Sequence, residues 1–420
     1  MNRFRELVLL ILSLPWLTST VQCRPGGSDN STSKLLYILI DGFRHDYLEK
    51  LSPEEVPGFT EFISNGVRAE YVNPLHPSLS YPSWTALATG LYAESHGIIG
   101  NYFYDPVDKD YFALFDADST GKKKWWTAEP IWTTATKAGL RVAAYLWSRC
   151  DIVYDHVLPE YCEKFIKKTG LDSFRTNVDK ALDNFEDGFD FVLVYTAHMD
   201  TMGHHYGPDS EEVKQGVRDI DEILVYLLDQ LKEIEDQVNI VIVGDHGMSP
   251  TRPSEIGRVF FDKYLPQADC IENIADYGAL SNILVKPGYL DEVYESLNKM
   301  PGFSVYKRDE IPEEWHIKNS PYIHDLFLQA DIGNYLTPSL RPEMLPPVDE
   351  DTYVEVGAHG FLASEMDMKT IFFAKGPMFK THEVISPIDI VDVYQVLTHV
   401  FNIEGCPSNG TFDNVAAAFV

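Results

Sequence analysis

Acidic, histidine and serine side chains stand at the ends of apolar, strand-like runs of this sequence or at the starts of helix-like ones. Carboxylates and imidazoles are ligands of divalent metal ions, and a hydroxyl beside such ions becomes a nucleophile. The set offers enough ligands for two metal ions next to one hydroxyl and therefore predicts metal-assisted hydrolysis of a phosphate ester. Its members are Asp41, Ser80, Asp200, His204, Asp245, His246 and His359.

Two of the acids follow strongly apolar runs. Asp41 comes after LLYILI and precedes Gly42, and a simple turn is the alternative because Asp-Gly is a common turn dipeptide. Asp245 and His246 come after NIVIVG. Adjacent Asp and His side chains at a strand end can place an oxygen and an imidazole on one cation such as Zn²⁺.

Three histidines compete for one ligand role near Asp200. Asp200 and His204 follow the run FVLVY, and Gly203 permits a tight turn between them. His198 has even spacing from Asp200, so that both would face the same side of an extended strand. His204 is the preferred ligand, and the local sequence leaves His198 and His205 open.

A further histidine, His359, lies far downstream between Gly357 and Gly360. A lone loop histidine is more often a hydrogen-bonding or surface residue than a ligand. Its inclusion in the metal site therefore depends on the other candidates.

Ser80 opens the segment SYPSWTALATG, where Pro82 suits a first helical turn. A hydroxyl at a helix start lies at the positive end of the dipole, where phosphate also binds. Ser80 is therefore a candidate nucleophile. An N-cap role is the alternative, and Ser78 and Ser83 stay open as rivals.

Apolar runs of strand length alternate with helix-like segments, which predicts an α/β fold with a mostly parallel sheet and helices on both faces. After Pro208, apolar residues from Val213 to Leu231 recur in steps of four and three and indicate a helix with one buried face. A less regular stretch, about 250–356, is interpreted as a smaller inserted or cap region. The predicted strands are Leu35–Ile40, Val142–Leu146, Phe189–Tyr195, Ile240–Val243 and Thr370–Ala374.

The composition restricts the class of partner. The chain has 420 residues, enough for one large domain, and a formal net charge of -30. That charge would repel the backbone of DNA or RNA, so nucleic acid is not an expected partner. A small phosphate ester, above all one that carries a cationic group, suits this field better.

The N-terminus has the pattern of a secretory signal peptide over residues 1–23, with two arginines before an apolar run too short to span a bilayer. Residues 24–33 are expected to be a flexible segment before a catalytic domain over 34–420. An extracellular protein, secreted or at the cell surface, is predicted. In that setting the sequons at Asn30 and Asn409 are expected glycosylation sites.

The cysteines fit an oxidising compartment. Cys150 and Cys162 would close a short loop and are the favoured disulfide. Cys270 and Cys406 could pair with each other, stay reduced or bridge two chains, which leaves a homodimer open. No cysteine has zinc-finger spacing, so none is assigned to the metal site.

Several motifs in fixed order resemble the ecto-nucleotide pyrophosphatase/phosphodiesterase family of the alkaline phosphatase superfamily. The similarity runs from about Lys34 to Thr411, and an alkaline-phosphatase-like fold is expected from it. The motifs are LLYILIDGFRHDY, SLSYPSWTALATGLYAESHGIIGNYFYDP, EPIW, D-x-x-GHHYGP, GDHGM and AHGF.

The resemblance implies two zinc ions and a role for each candidate residue. It selects Ser80 as the nucleophile and His204 among the competing histidines, and it implies that Asn101 steadies a phosphate oxygen. Manganese or iron would also suit this mixed set. One zinc would be held by Asp41, Asp245, His246 and Ser80, and the other by Asp200, His204 and His359.

Within the family the chain is most similar to the glycerophosphocholine cholinephosphodiesterase branch. The shared features are the serine nucleophile, its SLSYP context, and the run from Trp125 to Trp132 before the Cys150–Cys162 loop. Release of phosphocholine from choline phosphodiesters is therefore predicted, with contact to a lipid surface if lysophospholipids are substrates. Aromatic faces hold quaternary ammonium groups, and the predicted cage is Tyr81, Tyr102 and Tyr195.

Two departures from that branch favour a more anionic substrate. The usual Trp-Pro-Gly is Trp147-Ser148-Arg149 here, and His198 stands in the segment where the choline enzyme has an acid. A nucleotide pyrophosphatase/phosphodiesterase is therefore the alternative function. A catalytically silent zinc-binding protein is the third hypothesis, and the complete ligand set argues against it.

Overall fold

A computed structural model describes residues 33–166, 169–252, 257–266, 269–337 and 356–420. Its centre is an eight-stranded sheet in the order β19-β2-β18-β9-β1-β8-β6-β7. The strands of this sheet are β1 (Lys34–Ile40), β2 (Val67–Ala69), β6 (Val142–Tyr145), β7 (Tyr161–Glu163), β8 (Phe191–Thr196), β9 (Val238–Val243), β18 (Phe372–Lys375) and β19 (Glu383–Ile385).

The central sheet is mostly parallel, as predicted, and β18 is its antiparallel member, pairing with β9 on one side and β2 on the other. All five predicted strands are present, with ends shifted by up to two residues. In β1, alternate residues enter two hydrophobic clusters, one on each face of the sheet. Continuous apolar runs are the pattern of strands covered on both faces.

The register of the three middle strands aligns their carboxyl ends. Ile40 pairs with Thr196 of β8, and Leu39 pairs with Val243 of β9. The chain segments after β1, β8 and β9 therefore leave the same edge of the sheet, which is where ligands bind in parallel α/β sheets.

Helices cover both faces of the sheet. The helix predicted after Pro208 is present and buries all six residues of its predicted stripe. The helices are α1 (Pro57–Asn65), α2 (Ser80–Thr89), α3 (Ala93–His96), α4 (Ala117–Thr120), α5 (Ile131–Lys137), α6 (Leu171–Glu186), α7 (His198–Tyr206), α8 (Glu211–Leu231), α9 (Leu290–Leu297), α10 (Val393–Val400) and α11 (Phe412–Val415), with 3-10 turns at Tyr47–Lys50, Lys123–Trp125, Phe261–Tyr264, Arg308–Glu310, Glu313–Trp315, Met366–Met368, Ile390–Asp392 and Ala416–Ala418.

A second, antiparallel sheet lies within the predicted inserted region and has its own hydrophobic cluster. It has the order β12-β13-β15-β14, with β12 (Ile271–Ala275), β13 (Leu280–Val285), β14 (Phe303–Lys307) and β15 (Leu326–Ala330). The limits 250 and 356 stay a prediction. The remaining strands form short pairs: β3 (Val72–Asn73) with β20 (Ile388–Asp389), β4 (Tyr102–Asp105) with β5 (Asp110–Ala113), β10 (Ser249–Pro250) with β17 (Gly357–Ala358), and β11 (Arg258–Phe260) with β16 (Tyr335–Thr337).

The cysteines and the chain ends bear on the export prediction. Cys150 and Cys162 form a disulfide with a Cα–Cα distance of 5.8 Å, Cys406 is also disulfide-bonded, and Cys270 is buried. The predicted signal peptide, Asn30 and nearly all of 24–33 lie outside the described residues. Within the described part of the chain, no helix is long and apolar enough to cross a membrane.

Candidate metal centre and nucleophile

A first group of ligand atoms forms where β1 and β9 end. The imidazole Nε2 of His246 lies 3.4 Å from Asp41 Oδ1 and 3.4 Å from Asp245 Oδ2. All three side chains are at most 3% exposed. Because Asp41 and Asp245 follow neighbouring strands in register, the sheet itself sets their separation.

Hydrogen bonds orient both carboxylates of this first group. Asp245 Oδ1 accepts the backbone N–H of Gly42 at 3.0 Å, and its Oδ2 accepts the indole N–H of Trp84 at 2.7 Å. Tyr195 donates its hydroxyl to Asp41 Oδ2 at 2.6 Å. Burial, followed by the charges of Asp245 and Asp200, raises the pKa of Asp41. Without a cation this group would resist carrying its negative charges.

A second group forms around Asp200 on α7. Asp200 Oδ1 lies 3.3 Å from Nε2 of His204 and 3.6 Å from Nε2 of His359. Burial acts to raise the pKa of Asp200, but the neighbouring charge of His204 lowers it overall. Donor atoms of Asp200, His246 and His359 also lie within 4.8 Å of one another, so the two groups adjoin at His246.

Gly42 permits the close approach of the two groups. It adopts a φ of +69°, and a Cβ at this position would lie 2.6 Å from the Cα of Asp200. A side chain at position 42 would therefore separate the turn after Asp41 from the helix that carries Asp200.

The donor chemistry of both groups fits divalent metal ions. Each of the three histidines has its Nδ1 within hydrogen-bonding distance of a backbone carbonyl: His204 with Gly357 at 2.9 Å, His246 with Gly247 at 2.9 Å and His359 with Ser78 at 3.1 Å. A histidine held in this way keeps the lone pair of Nε2 for a metal. Asp41 Oδ1 and Asp200 Oδ1 are buried without a hydrogen bond to any described residue, as expected of ligand oxygens.

Ser80 is the first residue of α2, and its side chain lies beside the first group of ligand atoms. Its Oγ is 3.3 Å from His246 Nε2, and the residue is 6% exposed. Neither rival hydroxyl forms a hydrogen bond with a ligand residue: Ser78 donates to the carbonyl of Phe361 at 2.8 Å, and Ser83 Oγ is buried without a hydrogen bond to any described residue. The geometry thus brings one of the three serines to the ligand atoms.

The histidines around Asp200 are separated by helix geometry. The segment from His198 to Tyr206 is helical, so the alternation expected for an extended strand does not apply and that argument for His198 was wrong. Residues four apart share a helix face, which places His204 beside Asp200. Nε2 of His198 packs against α8 at Gly216, and His205 has its ring beside Tyr206.

Asn101 is held next to the nucleophile by the same helix start. Its Oδ1 accepts the backbone N–H of Tyr81 at 2.9 Å, and the residue is 8% exposed. With Oδ1 occupied, the amide nitrogen is the end left to donate a hydrogen bond. A donor beside a nucleophile is the arrangement that stabilises charge on a phosphoryl oxygen.

Of the three tyrosines predicted to form an aromatic cage, only Tyr102 lies outside the core. Tyr81 and Tyr195 are 1% and 2% exposed and lie in the core, so neither offers a ring face to a substrate, contrary to the cage prediction. Tyr102 is half-buried. Phe165 was not among the predicted site residues; it is half-buried, with its ring centroid 5.4 Å from that of Trp84 and 5.7 Å from that of Tyr195. Its position just after Cys162 was the available signal.

Two arginines of the motifs have structural partners. Arg149 forms an ion pair with Asp151 at 3.0 Å, so its charge is already balanced. Arg44 was not predicted as a site residue. It donates to the carbonyl of Met248 at 3.0 Å and to the carboxylates of Asp46 and Asp209 at 2.6 and 2.7 Å. It thereby joins the segments that follow Asp41, His204 and His246.

The parallel sheet with two metal-ligand groups and a hydroxyl at its carboxyl edge defines an alkaline-phosphatase-like hydrolase fold. Residues 35–362 match the family model described as type I phosphodiesterase / nucleotide pyrophosphatase. The chain belongs to this ecto-nucleotide pyrophosphatase/phosphodiesterase family, as the sequence motifs indicated.

Relatives match over nearly the whole chain. Human ectonucleotide pyrophosphatase/phosphodiesterase family member 5 is 33% identical over 97% of this chain and 82% of its own length. Human bis(5'-adenosyl)-triphosphatase is 30% identical over 94% of this chain and 84% of its own length. A structure of an inactive form of murine ectonucleotide pyrophosphatase/phosphodiesterase 5 in complex with AMP has a TM-score of 0.83 at 31% identity, covering 92% of this chain and 100% of that one.

Proposed function

We propose that this protein hydrolyses phosphodiesters of nucleotide type by nucleophilic attack of Ser80 on phosphorus. The observation that carries the proposal is the position of the Ser80 hydroxyl, 3.3 Å from His246 Nε2 at the point where the two ligand groups adjoin. No other hydroxyl among Ser78, Ser80 and Ser83 has this environment.

The chain's own residues account for two displacement steps. In the first, Ser80 Oγ bonds to phosphorus and the leaving oxygen departs, which gives a phospho-serine. In the second, water attacks the same phosphorus and releases Ser80. The amide of Asn101 and the N-terminal end of α2 stabilise the negative charge on the phosphoryl oxygens in both steps.

Two divalent metal ions, zinc as the family resemblance implies, would complete the proposed site. Asp41, Asp245, His246 and Ser80 would hold one ion, and Asp200, His204 and His359 the other. Bound there, the ions supply Lewis acidity and lower the pKa of the serine hydroxyl.

A nucleotide-type substrate is favoured by Phe165 and by the relatives. The ring of Phe165 is half-buried beside Trp84 and Tyr195, whose polar atoms contact Asp245 and Asp41. An aromatic face beside the residues that hydrogen-bond the ligand carboxylates suits a nucleobase. One relative is named as a bis(5'-adenosyl)-triphosphatase, and a structural relative was solved with AMP.

A choline phosphodiester is the second candidate. The half-buried Tyr102 follows Asn101 directly, and the net charge of -30 favours a substrate with a cationic group. The predicted partners Tyr81 and Tyr195 do not share this position because they lie in the core.

The nucleophile is tested with a pair of serine variants. Ser80→Ala is expected to abolish turnover while the protein keeps its thermal unfolding midpoint. Ser83→Ala is the matched control, because it removes a buried hydroxyl one turn later in α2, and it should retain activity. Near-normal activity in folded Ser80→Ala would refute the assignment.

The substrate class is tested with two chromogenic esters, p-nitrophenyl thymidine monophosphate and p-nitrophenyl phosphorylcholine. We expect faster turnover of the thymidine ester, loss of activity with a chelator, and a raised KM for that ester in Phe165→Ala. Preference for the choline ester would instead select the second candidate. Turnover of neither would favour the silent zinc-binding hypothesis.

We also infer that the protein is exported. The support is the N-terminal sequence pattern, the disulfide between Cys150 and Cys162, and the exposed position of Asn409 in its sequon. Expression in a secretory host followed by glycosidase treatment tests this. A shift in mass that is lost in Asn409→Gln would support glycosylation at that residue, and an unglycosylated intracellular product would contradict export.

A further inference from the structure

The inserted region reaches the catalytic site through one buried carboxyl group. Asp276 follows β12 and is 7% exposed, with a φ of +67°. Its Oδ1 accepts the backbone N–H of Tyr277 at 2.9 Å. Among the described residues, no basic side chain forms an ion pair with Asp276, so this carboxyl is buried without a balancing charge.

The second oxygen of Asp276 lies against the loop that carries Asn101. A Cβ added at Gly100 would lie 3.5 Å from Asp276 Oδ2. Burial raises the pKa of the Asp276 carboxyl to about 7, although the backbone N–H groups of Tyr277 and Tyr102 act to lower it. Oδ2 is buried and forms no hydrogen bond to a described residue.

We propose that Asp276 is a positioning residue for the oxyanion donor Asn101. Its Oδ2 lies against the backbone at Gly100, directly before Asn101, and so supports the loop from which the Asn101 amide reaches the start of α2. The inference rests on the proposed function, because it assigns a purpose to Asn101. Through this one residue the inserted region would then support the catalytic site, although it supplies no metal ligand.

A carboxyl group is suited to this place where an amide is not. Its Oδ1 accepts the backbone N–H of Tyr277 and its Oδ2 presents a second acceptor to the backbone at Gly100, whereas an asparagine would turn an N–H toward one of these two places. Burying an unpaired carboxyl destabilises the folded state. A residue that destabilises the folded state is expected beside a catalytic donor when that residue contributes to the reaction.

The test is a double-mutant cycle in the full-length protein with Asp276→Asn and Asn101→Ala. Asparagine keeps the volume of the side chain and tolerates the left-handed backbone. We expect Asp276→Asn to lower kcat by roughly 10- to 100-fold, the scale of a misplaced catalytic donor, with KM nearly unchanged. In the Asn101→Ala background the same change should have almost no further effect, because the donor is already absent.

A carboxyl of the same sheet provides the control. Asp325 accepts the backbone N–H of Val285 at 2.8 Å, within the inserted region itself, and Asp325→Asn should leave kcat unchanged. If Asp276→Asn does not fold, Asp276→Gly suits the positive φ and should show the same loss of kcat.

Two results would overturn the inference alone. They are an unchanged kcat in folded Asp276→Asn, or an equal loss in the wild-type and Asn101→Ala backgrounds, while Asn101→Ala itself remains strongly impaired. If Asn101→Ala has normal kcat, the oxyanion role fails together with the inference. Loss of the proposed function as a whole would instead appear as an active Ser80→Ala protein.

Discussion

The two ligand groups are held in different ways. Asp41 and Asp245 follow adjacent, paired strands, and their oxygens accept hydrogen bonds from Tyr195, Gly42 and Trp84. The second group combines one turn of α7 with a residue from the distant segment after β17, and the side chain of Asp200 is 19% exposed. The first group is therefore expected to be the rigid half of the site and the second the more adaptable half.

The largest predicted contrast is between His246→Ala and His204→Ala. His246 adjoins both groups and Ser80, so its loss should lower kcat by at least about 1000-fold, or about 4 kcal/mol in the barrier. His204→Ala removes a ligand of the second group alone and should leave one bound metal and a smaller loss. Steady-state kinetics with elemental analysis measures both. Equal losses would show that the two groups act as a single unit.

A buried arginine connects the chain segments that carry the two ligand groups. Arg44 is 4% exposed and joins the segments after Asp41 and His204 through Asp46 and Asp209. Arg44→Met should lower the free energy of unfolding by about 2 to 3 kcal/mol, less than the roughly 3 to 5 kcal/mol of a fully buried pair because Asp209 is exposed. Urea unfolding of the metal-loaded protein measures this change.

A surface pair supplies the control for Arg44→Met. Arg218 contacts Glu55 at 2.6 Å at the surface, and Arg218→Met should leave the unfolding free energy almost unchanged. If both variants lose the same stability, the network around Arg44 has no special role in joining the groups.

A smaller effect is expected from Trp84→Phe, which removes the indole N–H from Asp245. Partners of metal ligands typically contribute 10- to 100-fold in metal affinity. We expect a loss of that size at the first group, measured by competition with a chelator. Trp132→Phe is the matched control, since its indole N–H has no hydrogen bond to a described residue. Unchanged affinity in Trp84→Phe would weaken the view that hydrogen bonds make the first group rigid.

The smallest effect, counted per pH unit, comes from a carboxyl that lies outside both ligand groups. Burial raises the pKa of Asp276 to about 7 in the folded protein, above the value of about 3.9 for an unfolded Asp. Between pH 4 and 7 the folded state therefore binds more protons, so this residue's contribution to stability falls as pH rises, by at most about 1.4 kcal/mol per pH unit.

Asp276→Asn should remove that decline in stability. Thermal or urea unfolding of both proteins across pH 4 to 8 gives the comparison. Parallel pH dependence in wild type and variant would mean that Asp276 is ionised throughout, and the metal ligands would then be the source of any pH effect.

The sequence predicted the structure correctly where a feature depends on residues that are close together in the chain. Runs such as NIVIVG predicted buried parallel strands, and the six apolar positions of α8 predicted its buried face. The ligands at the strand ends could be selected because parallel strands end at one edge of the sheet. Ser80 was separated from Ser78 and Ser83 by the family resemblance, and the geometry gives the same separation.

Residues were predicted wrongly or overlooked where their role depends on the orientation of a side chain or on contacts between distant parts of the chain. Tyr81 and Tyr195 are adjacent to the site along the chain, yet the helix start and the buried strand turn their rings into the core. The helix from His198 to Tyr206 replaced an assumed extended segment. Phe165 and Asp276 reach the site only through the disulfide loop and the inserted sheet, and neither placement can be derived from local periodicity.

The contact between the His359 ring and the Ser78 carbonyl has a consequence for the order in which the parts of the chain fold. The ring contacts the carbonyl of a residue 281 positions earlier in the chain. Contacts of such length form late because the entropy of closing the intervening loop must be overcome first. The complete ion site can then exist only after the last strands have docked, and metal uptake should report the final stage of folding, not initiate it.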